Sequence, residues 1–289
     1  MRHRLGRWLC LLAVLAALTS CSAFKLSYEK ADWLLAHWAQ RYVDLTAEQT
    51  RALRSELANL QRWHRAHELP EYARAFDRAA VQLEAGMTRA QIQVLVDMVR
   101  ARAGTLGVRA GQSFAPLVTS LSEAQLRDLQ RRFAADNRRF ERRHLSGSPA
   151  ELAERRSDWM ESRLEDWFGP LDRTQRARVK RLVAAFPDMP ALRLAERRRR
   201  QAALLEAARE GRGGGAAGAR LGALLANLER GGPAPVHAAM VRWEHAFIDM
   251  LSELEDSLSS AQRAHAAARL RQYADDFREL ARRQATAVL

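Results

Sequence analysis

Trp243–Leu258 reads WEHAFIDMLSELEDSL, and its spacing decides the fold. Trp243, Phe247, Met250, Leu251, Leu254 and Leu258 fall at i, i+4, i+7, i+8, i+11 and i+15, with polar residues between most of them. At 3.6 residues per turn these positions share one face of an α-helix. Met160, Leu164, Trp167 and Phe168 repeat the pattern, as do Leu53, Leu57, Leu60 and Trp63. Alternating strand-like runs are missing, and the strongest helix formers, Ala, Leu, Arg, Glu and Gln, dominate. The expected fold is all-α, an antiparallel multi-helix bundle or array of about ten to twelve helices joined by short loops.

Breakers divide these helices. They are expected at residues 25–42, 46–68, 70–85, 88–103, 114–120, 122–145, 149–168, 172–186, 189–210, 217–230, 235–257 and 259–285. Pro70, Pro149, Pro190 and Pro235 stand near helix starts, where the missing N–H costs nothing. Gly211–Gly218 (GRGGGAAG) and Gly231-Gly232-Pro233 bracket a short helix. Residues 25–289 therefore read as a single helical domain with a flexible glycine-rich excursion near 211–234.

A five-residue box recurs at these starts: LTAEQ at Leu45–Gln49, MTRAQ at Met87–Gln91, LSEAQ at Leu121–Gln125 and LSSAQ at Leu258–Gln262. LDRTQ at Leu171–Gln175 is a variant. Each fits a capping box, in which a Ser, Thr or Asp oxygen accepts the N3 amide and Gln reaches back to the N-cap amide. Gln-to-Gln spacings of 42, 34, 50 and 87 do not describe a solenoid of equal repeats.

The N-terminus bears on compartment. Arg2, Arg4 and Arg7 precede an uncharged apolar run, Trp8–Leu18, which is shorter than the roughly 20 residues a bilayer core requires. That describes a secretory signal peptide over residues 1–20. Leu18-Thr19-Ser20-Cys21 resembles the lipobox of bacterial lipoproteins, which implies diacylglycerol on Cys21, cleavage before it and acylation of the new amino terminus. Residues 21–24 would then be a lipidated tether, and Ser22 in place of Asp implies the outer membrane, facing the periplasm. The only other cysteine, Cys10, lies in the discarded segment, so the mature chain would carry no free thiol.

Removing residues 1–20 lowers the formal charge from +13 to +10. Nearly all of the positive charge is arginine, interleaved with acids as in ELAERRSDWMESRLEDW, Glu151–Trp167. This reads as solvated, ion-paired helix faces. Export argues against nucleic acid as a partner, leaving anionic headgroups or other acidic envelope material.

The LTxxQ-like boxes are similar to those of periplasmic stress chaperones of the Spy and CpxP type, which implies a holdase as an alternative function. A broader resemblance covers most of the mature chain. Its residues are Tyr28, Ala31-Asp32, Tyr42–Thr46 with Gln49, Trp63–Arg65, Glu68–Tyr72, Asn137–Phe140, Glu196-Arg197 and Gln201. In these the chain resembles a family of uncharacterised proteobacterial lipoproteins, a domain of unknown function that implies no activity.

Candidate chemistry is sparse. His64 and His67, three apart in WHRAHE, are candidate metal ligands, but a structural role at a helix end is the favoured reading. No nucleophile motif or phosphate-cradling loop is present. Asp275-Asp276 and Glu253/Glu255/Asp256 sit on arginine-rich helices and read as solvated ion pairs. A cell-wall enzyme with two distant acids is the least favoured function. The six tryptophans after residue 20 are expected mostly in core stripes. The sequence thus points to a non-catalytic, cofactor-free binding or scaffold protein, held to a membrane through Cys21 and paired with another envelope protein.

Overall fold

The computed structural model describes residues 24–211, 216–226 and 232–286. The expected signal peptide 1–20, Cys21 and all of the tether but its last residue lie outside the described residues, as do residues 212–215 and 227–231. Among the described residues the chain is helical, without strands. A short helix α1 at 24–29 is followed by α2 (Ala31–Gln40), α3 (Ala47–His67), α4 (Leu69–Ala85) and α5 (Arg89–Thr119). Then come α6 (Glu123–His144), α7 (Pro149–Phe168), α8 (Arg173–Ala184) and α9 (Pro190–Glu210). α10 (Ala217–Ala226), α11 (Ala234–Glu255) and α12 (Ser260–Thr286) complete the fold. Among the described residues no helix is long and apolar enough to cross a membrane.

Two boundaries depart from the sequence reading. The helix expected at 25–42 breaks at Lys30, a turn with φ −98° and ψ 12°. The segments expected at 88–103 and 114–120 are instead one helix, α5, running through Gly104, Gly107, Gly111 and Pro116. Glycine lowers helix propensity by about 1 kcal/mol, so packing must reverse that preference. It does so through α10. A Cβ on Gly107 would lie 2.4 Å from the carbonyl oxygen of Leu225, and one on Gly111 would lie 2.1 Å from the amide nitrogen of Gly222. The missing side chains let two backbones touch. The helix inside the stretch expected as a flexible excursion is thus docked closely along the C-terminal half of α5, where Leu221, Ala115 and Ala207 are buried together.

The core has one large body and several small ones. Ala80 and Leu83 of α4, Met160 and Leu164 of α7, and Val179 and Val183 of α8 are buried with Ile248, Met250 and Leu254 of α11. Ala266, Ala267 and Leu270 of α12 close that body. Elsewhere Val43, Leu126 and Leu129 pack on Leu205 and Ala208, and Ala36 packs on Leu53 and Leu57. α5, about 46 Å long at 1.5 Å per residue, runs from Ile92 in the large body to Ala115 in a small one.

All five boxes end at a helix N-terminus. In four, at Thr46, Thr88, Ser122 and Asp172, the full capping box forms. In the fifth, Ser259 and Gln262 exchange the same pair of bonds. Four of them also pair across the fold. Gln49 and Gln125 donate to each other's Oε1 at 3.3 and 2.7 Å. Gln49 also donates to the carbonyl of Ser120, and Gln125 to that of Asp44. Gln175 and Gln262 repeat this at 3.0 and 2.9 Å, with the carbonyls of Ser257 and Pro170. In both cases the amide reaches the carbonyl just before the partner's box. Two glutamine clasps therefore tie α3 to α6 and α8 to α12.

Candidate functional site

The residues that carry the broader family resemblance gather in two places. The first lies where Tyr42–Leu45 joins α2 to α3. The Tyr42 hydroxyl donates to Asp136 Oδ2 on α6 at 2.5 Å. Burial raises the Tyr42 phenol above its ordinary range, and the Asp136 carboxylate raises it further. Arg139 Nη1 stands 3.5 Å from Asp136 Oδ1, and Arg197 Nη2 of α9 stands 4.0 Å from Oδ2. One residue along, buried Asn137 donates to Gln201 Oε1 at 2.8 Å. These contacts lock α6 against α9 and hold the Tyr42 segment across them.

An open depression of about 490 Å³ adjoins this cluster. Arg41, Asp44, Asp128, Arg131 and Arg132 line it, above Tyr42 and Val43. Arg131 pairs with Asp128 one helical turn away. Three guanidinium groups against two carboxylates leave the opening cationic. Such an arrangement can receive an acidic group by bidentate hydrogen bonding. No Ser, Cys, Thr or His lines the depression beside them.

The second cluster is more enclosed. The Tyr28 hydroxyl and His64 Nδ1 are 2.8 Å apart. Burial pushes His64 down to about 4 and Tyr28 up to about 12. At neutral pH both are therefore uncharged. Arg65 lies over the Tyr28 ring, and Tyr72 of α4 flanks His64. The buried Glu68 carboxylate has Arg102 Nη1 at 3.6 Å. Its other oxygen, also buried, accepts no hydrogen bond.

The two imidazoles considered for metal binding do not converge. His67 is exposed, stacks on Trp63 and holds its Nδ1 3.0 Å from the Trp63 carbonyl. His64 is turned inward to Tyr28. Among the described residues no group of three His, Cys, Asp or Glu side chains is placed to hold a metal ion.

Glu253, Glu255, Asp275 and Asp276 are ion-paired as expected, but two of these four are buried rather than solvated. Asp276 meets Lys25 at 3.5 Å. Glu255 meets Arg263 at 3.1 Å and accepts the Met87 amide at 3.0 Å. Buried Glu244 likewise accepts from Arg100 at 2.5 and 2.6 Å.

The tryptophans correct a second expectation. Trp63, Trp167 and Trp243 are partly buried, whereas Trp33, Trp38 and Trp159 are exposed. Sequence reasoning also passed over Asp136 and the three arginines of the depression. The available signal was an aspartate beside Asn137 in an otherwise arginine-rich run, opposite a tyrosine at a helix end.

A family model described as a family of unknown function, DUF6279, matches residues 41–230. No curated protein and no solved structure matches the chain.

Proposed function

The chain belongs to the DUF6279 family, whose function is unknown, and we propose that it is a lipid-anchored protein of the bacterial envelope that binds an acidic envelope component without catalysis. In this reading it is exported, cleaved before Cys21, acylated there and held at the outer membrane facing the periplasm. The observation that carries it is the order of the first residues. Leu18-Thr19-Ser20-Cys21 leads within three residues to Phe24, whose ring packs edge-on against Tyr273 and Phe277 of α12. A lipid on Cys21 would therefore join a fixed point of the fold.

The cationic depression beside Tyr42 supports the binding role. Residues of the family resemblance, Tyr42, Asn137, Arg197 and Gln201, brace the helices below it. A holdase would call for apolar residues inside an arginine-rimmed concavity, whereas this opening presents guanidinium and carboxylate groups.

The anchor is tested by mass spectrometry of the purified protein. An N-terminal peptide starting at acylated Cys21, lost in Cys21→Ala, is the expected result, and an unmodified or uncleaved N-terminus overturns the reading. The binding role is tested in cells with a photo-crosslinking residue at exposed position 132. One discrete adduct, lost when Arg41 and Arg131 are changed to Glu, is expected. A broad spread of adducts that grows under heat stress would replace it with the holdase.

A further inference from the structure

Positions 26, 27, 30, 33, 34, 37, 38 and 41 are all exposed. Within each helix they recur at intervals of three and four, so α1 and α2 each present one exposed face, and the two faces adjoin at Lys30. The Lys30 N–H closes α1 on the Leu26 carbonyl, and the Leu34 N–H opens α2 on the Lys30 carbonyl, so the two helices meet at a single turn residue. Four of these residues are large and apolar: Leu26, Trp33, Leu34 and Trp38, between 44% and 58% exposed. Lys30 and Arg41 add positive charge to the same face.

The opposite side anchors the segment to the fold. Phe24 packs on α12, Lys25 donates to Glu279 at 2.8 Å, and Ala36 is buried against α3. The segment is thus held in place with its apolar side outward. Scattered exposed hydrophobic residues need no explanation, but a contiguous patch on one helical face does.

We propose that this face lies in the headgroup region of the membrane that holds the acyl chains of Cys21. The inference rests on the lipid-anchor reading above. Phe24 is three residues from Cys21, hence within roughly 11 Å of it at full extension. Trp33 lies about 14 Å further along the helices. A bilayer holding the lipids of Cys21 is therefore within reach of the whole face. Trp and Leu beside Lys and Arg are the residues of helices that lie flat in the interface. The basic pair suits anionic headgroups. The fold would then sit on the membrane along α1 and α2 rather than swing freely on its tether.

The test uses the acylated protein purified from membranes and reconstituted in phosphatidylethanolamine/phosphatidylglycerol vesicles. With Cys21 acylated, Leu34→Cys supplies the single thiol for a nitroxide label. Flotation and the mass of the N-terminal peptide read the anchor, and relative relaxation by oxygen and a water-soluble nickel chelate reads the face. The expected result is flotation, with the oxygen-to-chelate ratio rising about fivefold or more over detergent-free solution values for exposed labels. Changing Trp33 and Trp38 to Ser should abolish that rise while flotation persists. Flotation with a water-exposed label overturns the inference and leaves the anchor standing. A chain with no acyl group on Cys21 overturns both. Spin–spin broadening of the label would assign the face to a second copy, and a rise that survives loss of both tryptophans would remove their role.

Discussion

The two glutamine clasps have the same chemistry in different surroundings. Gln175, 2% exposed, belongs to the half built on the large continuous core of α4, α7, α8, α11 and α12. Gln49, half-buried beside a buried Gln125 that is 9% exposed, belongs to the half assembled from small clusters around α3, α6 and α9. One half can rely on apolar burial. The other relies on close backbone contact between α5 and α10, on the clasp, and on polar contacts around Tyr42. The contrast teaches that a capping motif sets where a helix begins, while its surroundings set how much the fold depends on it.

The largest effect expected from this contrast lies in the small-core half. Gly111→Leu improves helix propensity by about 1 kcal/mol, but its side chain meets the backbone of Gly222. The clash should dominate and destabilise by about 3 kcal/mol or more, lowering the denaturant midpoint. An unchanged midpoint would mean that the contact of α5 with α10 contributes little.

The clasps themselves come next. Gln175→Ala removes a buried amide from beneath the Ser257 carbonyl and Gln262 and should cost about 2–3 kcal/mol, against about 1 kcal/mol for Gln49→Ala, whose own position is half open to water. Equal costs in urea unfolding would erase the distinction between the halves.

A pH dependence is expected at the junction of the halves. Burial holds the folded His64 near 4 against 6.5 when unfolded. The unfolded chain then binds more protons between those values, so stability falls as pH drops from about 6.5 to about 4 and levels off below. The loss is at most roughly 3 kcal/mol. His64→Asn should flatten that slope in unfolding curves taken across the window. A slope that persists would place the acid sensitivity on another group.

Much of this was legible locally. Helix positions, the capping boxes and the prolines at N-termini follow from side chains and amides within four residues of one another, and the structure agrees at each box. The ion pairing of the arginine-rich helices is equally local, since i to i+3 and i+4 pairs such as Arg199–Glu196 and Arg283–Glu279 form on one surface. Half of the candidate site was visible as residue types, in Tyr42, Asn137, Arg197 and Gln201. Its geometry was not, because Asp136 finds Tyr42 from 94 residues away.

By itself the sequence determined that this chain is helical, where most helices start, and which short N-terminal pattern points to a lipid anchor. These depend on periodicity and on hydrogen bonds that close within a turn. Only the tertiary structure decided which boxes clasp, since Gln49 and Gln125 are 76 residues apart and Gln175 and Gln262 are 87 apart. It also decided that three glycines stay inside one helix and that Trp33 and Trp38 face outward. The reason is the same in each case. Propensity acts residue by residue, whereas a missing side chain or an apolar ring acquires its energy from what the rest of the chain places against it.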